Sequence, residues 1–181
     1  AEEDGVGHLT SNLNPQIQHA RDVAFAILKP TASELERGLR LHSESIVFDS
    51  YGFSPRAAIN GELLAAEIEA GASDQEVEDL QEDMTMTRYV TDAAEQQEYR
   101  DAWRASGVTC IFQNAGQECQ DPLRLLKRLA RFSFATDLMR EFVCKAAIPS
   151  DIEAAKAAGR HALYMTGNGI PLTQEWISKE D

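Results

Sequence analysis

An α/β fold with a parallel sheet is what this sequence predicts, on three observations. Three short apolar runs of β-prone composition, Ile46–Asp49, Val108–Gln113 and His161–Thr166, punctuate the chain. Segments of helical periodicity lie between them, several opened by a cap and closed by glycine or proline. Strands alternating with helices are joined by right-handed crossovers, which makes neighbouring strands parallel. The three runs are therefore expected side by side, in chain order.

Residues 1–13 read as a polar, loosely held arm. Asn14-Pro15 opens a first helix carrying Ile17, Ala20, Val23, Ala24, Ile27 and Leu28, and Lys29-Pro30 closes it. Thr31 to Glu34 has the capping-box pattern and starts a second helix with Leu35, Leu39 and Leu41. The first strand follows and runs into Asp49-Ser-Tyr-Gly-Phe-Ser-Pro55, where Ser54-Pro55 suits a helix N-cap followed by proline at the first helical position. That third helix is expected through Leu63, Leu64 and Ile68 to a stop at Gly71.

Ser73 to Glu76 forms another capping box ahead of Val77, Leu80 and Met84. Five acidic residues between Glu76 and Asp83 read as a solvated helix face, because they lack the alternating loop spacing of a calcium site. Thr91 or Asp92 caps a helix through Tyr99 and Trp103, with Gly107 as its stop, and the second strand follows. Asp121-Pro122 begins a long helix bearing Leu123, Leu125, Leu126, Leu129, Phe132 and Leu138. Ser150 to Glu153 is a further capping-box pattern, Gly159 ends its helix, and the third strand leads into a Gly-Asn-Gly-Ile-Pro-Leu-Thr loop.

The chain divides into an N-terminal arm with helices, 1–45, and a strand-bearing part, 46–181. A net charge of −13 repels nucleic acid and anionic membranes, so neither is an expected partner. No apolar run approaches the roughly 20 residues of a membrane span, and a soluble cytoplasmic or periplasmic protein is expected. Cys110, Cys119 and Cys144 show no C-x-x-C spacing, which argues against a disulfide framework and a zinc finger; Cys110 reads as a buried thiol.

In a parallel sheet the strand C-terminal ends share one face, where chemistry is usually placed. Here that face receives Asp49, Ser50, Tyr51 and Phe53, then Gln113 and Asn114, then Thr166, Gly167 and Asn168. Asp49, Tyr51, Asn114 and Asn168 are the candidate ligand-binding residues. The set contains one carboxylate, no histidine and no cysteine, so a nucleophilic triad is not expected. His161 starts its strand at the opposite edge and reads as a surface or structural histidine. The pair Gly167-Asn168-Gly169 offers backbone N–H groups to an anion.

The third strand with its surroundings, Ile148-Pro-Ser-Asp-Ile-Glu-Ala-Ala-Lys-Ala-Ala-Gly-Arg160 and His161-Ala-Leu-Tyr-Met-Thr-Gly-Asn-Gly-Ile-Pro-Leu-Thr-Gln-Glu-Trp176, resembles the membrane (renal) dipeptidase family of metallopeptidases. Gly107-Val-Thr-Cys-Ile-Phe112 and Phe48-Asp-Ser-Tyr-Gly-Phe-Ser-Pro55 support the likeness, which runs from about Leu41 to Asp181. The resemblance implies a (β/α)8 barrel of the TIM type with paired zinc ions at the strand C-termini. It implies hydrolysis of a dipeptide or similar small amide by metal-activated water. The family's Asp-Gly-His-x-Asp motif would place its Asp on Asp49 and its Gly on Ser50. Its ligand His falls on Tyr51, its ligand Asp on Phe53, and its metal-bridging Glu on Gly167 or Asn168. None of these ligand positions matches, so the zinc that the family implies has no ligand to carry over here. The chain corresponds to about three of the barrel's eight strands. A second polypeptide segment or self-association is therefore expected to complete it, and a non-catalytic binding or structural half of a two-chain barrel is the alternative.

Overall fold

The computed structural model describes residues 14–116 and 122–167. Two helices lead: α1 (Pro15–Leu28) and α2 (Ala32–Glu44). Strand β1 (Phe48–Gly52) is followed by α3 (Gly61–Glu69), α4 (Asp74–Thr91) and α5 (Ala93–Ser106). Then come β2 (Cys110–Gly116), α6 (Pro122–Leu138), β3 (Val143–Lys145), α7 (Pro149–Ala157) and β4 (His161–Gly167). The strands form one parallel sheet in the order β1-β2-β4-β3. The fold is thus mixed α/β, and the three strands expected from sequence are adjacent and parallel.

Most helix starts follow the sequence signals. The side chains of Asn14, Thr31, Ser73 and Asp92 each accept a backbone N–H of the first turn, and the Thr31 and Ser73 boxes close in both directions. Gly107 ends α5 with φ 64°, and a Cβ there would lie 2.4 Å from the His42 ring, so both conformation and the close approach of α2 call for glycine.

Four expectations are corrected. Ser54-Pro55 does not start a helix: the Ser54 N–H donates to the Gln113 side chain at 2.7 Å, the chain stays irregular to Asn60, and Asn60 is the cap of α3. Ser150 is not a cap, because Pro149 already occupies the first turn and the Asp151 carboxylate takes the N–H groups of Ala147 and Ile148. The strand edges move, with Ile46 and Val47 lying before β1, although the Val47 carbonyl accepts the N–H groups of Thr109 and Cys110. Strand β3 was not expected; it is three residues long and pairs only with the first half of β4.

The sheet has two differently covered faces. Ile111, Ala115, Leu163 and Val143 meet Met86 and Tyr89 of α4, Tyr99 and Trp103 of α5, and Phe132 and Ala135 of α6 in the main core. Cys110 and Ala162 point the other way, where Ile152 and Ala155 of α7 and Ala146 cover them. Topology explains the split: β4 lies between β2 and β3, so the β3-to-β4 crossover runs back across the sheet and its helix lands on the opposite face. Burial pushes the Cys110 thiol up to about 11, which suits an inert packing group.

Of the two readings for His161, surface or structural, the packing supports the structural one. Its Nδ1 lies 2.7 Å from the Val108 carbonyl, and its ring packs against Trp103 and Phe142. Burial lowers its pKa, against the pull of that hydrogen bond.

The acidic run on α4 is a solvated face only in part: Glu76, Glu78 and Asp83 are exposed, but Asp79 is half-buried and Glu82 is not solvated. Glu82 is buried and receives Arg124 at 2.7 Å, Arg128 through Nε at 3.0 Å and Arg131 at 3.1 Å. Lys127 pairs with Asp79, Arg124 also reaches Glu78, and Arg131 also reaches Asp83. The basic residues fall at i, i+3, i+4 and i+7 on α6, one stripe facing the acidic stripe of α4.

Candidate functional site

Two irregularities shape the C-terminal ends of the strands. On β1 the register passes from Asp49↔Ile111 to Gly52↔Gln113, and on β2 from Asn114↔Thr166 to Gly116↔Gly167. Each is a bulge, the device that re-aims side chains beside functional sites. In the first bulge Asp49 folds back on the chain: its carboxylate accepts the Tyr51 N–H at 3.1 Å. A Cβ on Gly52 would meet that carboxylate at 2.4 Å and Ile111 at 3.1 Å, so a larger residue would displace the folded-back Asp49 side chain.

The bulge brings Tyr51 over β2, where the Asn114 side-chain amide donates to the Tyr51 hydroxyl at 3.4 Å. Asn114 is buried, and its own oxygen accepts the Gly116 N–H. Thr166 stands opposite Asn114 in register and donates to the Gln113 carbonyl at 3.3 Å. One step down the same face lies an aromatic row. Phe48 meets Phe112 edge-on at 4.2 Å, and Phe112 meets Tyr164 at 4.5 Å. A further step down, Cys110 and Ala162 are covered by α7. This face is therefore layered: an apolar base, an aromatic platform, and a polar rim of Tyr51, Asn114 and Thr166 at the strand ends. Phe48 and Tyr51 are exposed and Phe112 and Tyr164 half-buried, so the platform opens to solvent.

Gln113 holds the frame from the other face. It is 1% exposed, accepts the Ser54 N–H at 2.7 Å and donates to the Asn114 carbonyl at 3.1 Å. Gln113→Ala would strand the buried Ser54 N–H; such a loss costs about 1–3 kcal/mol. The expected result is a destabilised protein in which β1 amides exchange faster than those of β2, measured by denaturant titration and native-state hydrogen exchange.

Of the four candidate residues, the structure joins Tyr51 and Asn114 directly. Asp49 serves the bulge rather than the rim, and Asn168 lies outside the described residues. The platform of Phe48, Phe112 and Tyr164 was missed, although its signal is present: Phe112 and Asn114, like Tyr164 and Thr166, are two apart and so share a face.

The residues at the family's ligand positions do not fit zinc. Tyr51 is a phenol whose oxygen already accepts Asn114, while Phe53 and Gly167 offer no side-chain donor. Among the described residues no group of three His, Cys, Asp or Glu side chains is placed to hold an ion. No helix among them is long and apolar enough to cross a membrane. Compared with protein-family models, with curated proteins and with solved structures, this chain finds no match.

Proposed function

We propose that these strands are the first part of a dipeptidase-like (β/α)8 domain that binds a small amide, such as a dipeptide, at the open strand ends. The observation that carries this reading is the Tyr51–Asn114 bond between two adjacent bulges, set above the Phe48–Phe112–Tyr164 platform. The platform supplies apolar and aromatic contact for a side chain, and the rim supplies hydroxyl and amide groups that pair with a peptide group. Apolar surface with a few convergent polar groups is what small ligands use. Zinc chemistry forms no step here, because the donors do not fit the metal. Hydrolysis would draw its donors from outside the described residues.

The test is calorimetric titration of the chain with glycyl-phenylalanine and with N-acetyl-phenylalaninamide. Saturable binding of at least one is expected, weakened about tenfold by Asn114→Ala through loss of a hydrogen bond. No saturable binding of either amide, or binding indifferent to Asn114→Ala and Phe112→Ala, would overturn the proposal. Amino-acid release on adding zinc to the chain would instead establish the hydrolase.

One observation favours a larger assembly. Leu123, Leu126, Phe134 and Leu138 form an exposed stripe on α6, with Leu126 and Leu138 each 64% exposed. Apolar surface of this kind is worth roughly 25 cal/mol per Å² when covered. Sedimentation of the isolated chain is expected to show association or aggregation, whereas a monodisperse monomer with a sharp thermal transition would count against the half-barrel.

A further inference from the structure

We infer that the turn between α6 and β3 carries an anion site, for a small oxyanion of the phosphate class, built from Arg100, Arg104 and Arg160. Arg100 and Arg104 are one helical turn apart on α5, and their guanidinium carbons lie 4.7 and 5.6 Å from the centroid of the same Phe142 ring. Arg160, at the start of β4, donates to the Arg140 carbonyl at 3.2 Å, two residues before Phe142. Three guanidinium groups, those of Arg100, Arg104 and Arg160, thus gather at one short turn in a protein of net charge −13.

Their pairing differs from that of the other arginine cluster. On α6, Arg124 and Arg131 lie 2.7 and 3.1 Å from Glu82 oxygens. Of the three arginines at Phe142, only Arg104 forms an ion pair among the described residues, with Asp101 at 3.8 Å. Arg100 and Arg160 have no carboxylate within ion-pair distance among the described residues, and the Arg160 Nε is buried without a hydrogen-bond partner. The Phe142 ring attracts Arg100 and Arg104 as cations, which leaves their N–H groups available to an acceptor. Guanidinium forks match phosphate oxygens in pairs, and a multiply charged anion offsets several like charges at once. The cluster lies at the N-terminal ends of β3 and β4, away from the aromatic platform.

Calorimetric titration of the full 181-residue chain with inorganic pyrophosphate, and separately with orthophosphate, tests the site at matched ionic strength. Saturable binding of pyrophosphate is expected, weaker for orthophosphate, and reduced at least tenfold by the double change Arg100→Gln with Arg104→Gln. The exposed Arg37→Gln on α2 should leave it unchanged. Arg100→Lys keeps the charge and loses the fork, so an intermediate loss is expected even if the double variant folds poorly. Absence of saturable binding, or affinity unchanged in a folded double variant or equally reduced by Arg37→Gln, would overturn the site.

Discussion

Replacing Glu82 with alanine is expected to lower the unfolding free energy by about 3–5 kcal/mol, the range for removing one partner of a buried charge network. Glu82 is only 8% exposed and serves Arg124, Arg128 and Arg131 together. Its loss leaves three guanidinium groups against a face built for a carboxylate. Glu82→Gln should cost less, since the amide oxygen still accepts. The same network predicts an acid limb. Burial by itself would raise the Glu82 carboxyl, but hydrogen bonds and charge from Arg128 and Arg124 outweigh it and hold the group below its ordinary value. The hydrogen bond from Lys127, against the effect of burial, similarly holds Asp79 down. Carboxyls depressed in the folded state stabilise it above their unfolded pKa of about 4, and that stability is lost as pH falls through the lower folded values. Denaturant midpoints measured from pH 7 downward should therefore fall in the wild type and vary less in Glu82→Gln. A pH-independent difference between the two proteins would contradict this account.

Trp103→Ala is expected to be comparably severe, about 3–5 kcal/mol as for other buried Trp truncations. Trp103 is 1% exposed and lies against the His161 ring at 4.7 Å and the Tyr99 ring at 6.3 Å. It therefore ties α5 to the start of β4. Trp103→Phe keeps much of that area and should cost distinctly less. The check is urea denaturation with the slope compared between variants. Equal midpoints for wild type and Trp103→Ala would show that the aromatic junction does not hold this end of the sheet.

How legible the molecule was in its sequence depended on range. Asn14, Thr31, Ser73, Asp92 and Gly107 act within four residues of the backbone they cap, so local pattern sufficed. Ser54 carried the same local signal and misled, because its N–H is taken by Gln113, 59 positions away. The acidic run of α4 misled for a similar reason: its partners lie more than 40 positions downstream, as in the Arg124–Glu82 bond at a separation of 42. The stripe Arg124, Lys127, Arg128 and Arg131 was nevertheless readable and, set beside the acidic helix, would have suggested the pair. Strand β3 is too short to show periodicity, and only pairing with β4 makes it a strand. At the candidate site, Tyr51 and Asn114 were readable as strand-end polar groups. Their meeting depends on a bulge, which no residue pattern announces.

The separations within the sheet also set an order of assembly. Strands β3 and β4 meet across 17 positions, as in the Cys144–His161 contact, while the register pair Phe48↔Cys110 joins β1 to β2 across 62. Entropy of loop closure rises with the chain enclosed, so the β3–α7–β4 unit is expected to form before β1 docks. Among the described residues β1 also lies at the edge of the sheet with most of its residues exposed, and it is expected to open first from the native state. Phe48 and Tyr51 both belong to β1, so the platform and its rim are complete only while that strand is seated. A ligand held there binds the closed form alone and draws β1 onto the sheet by mass action. Occupancy of the site and local order of the strand are then a single equilibrium.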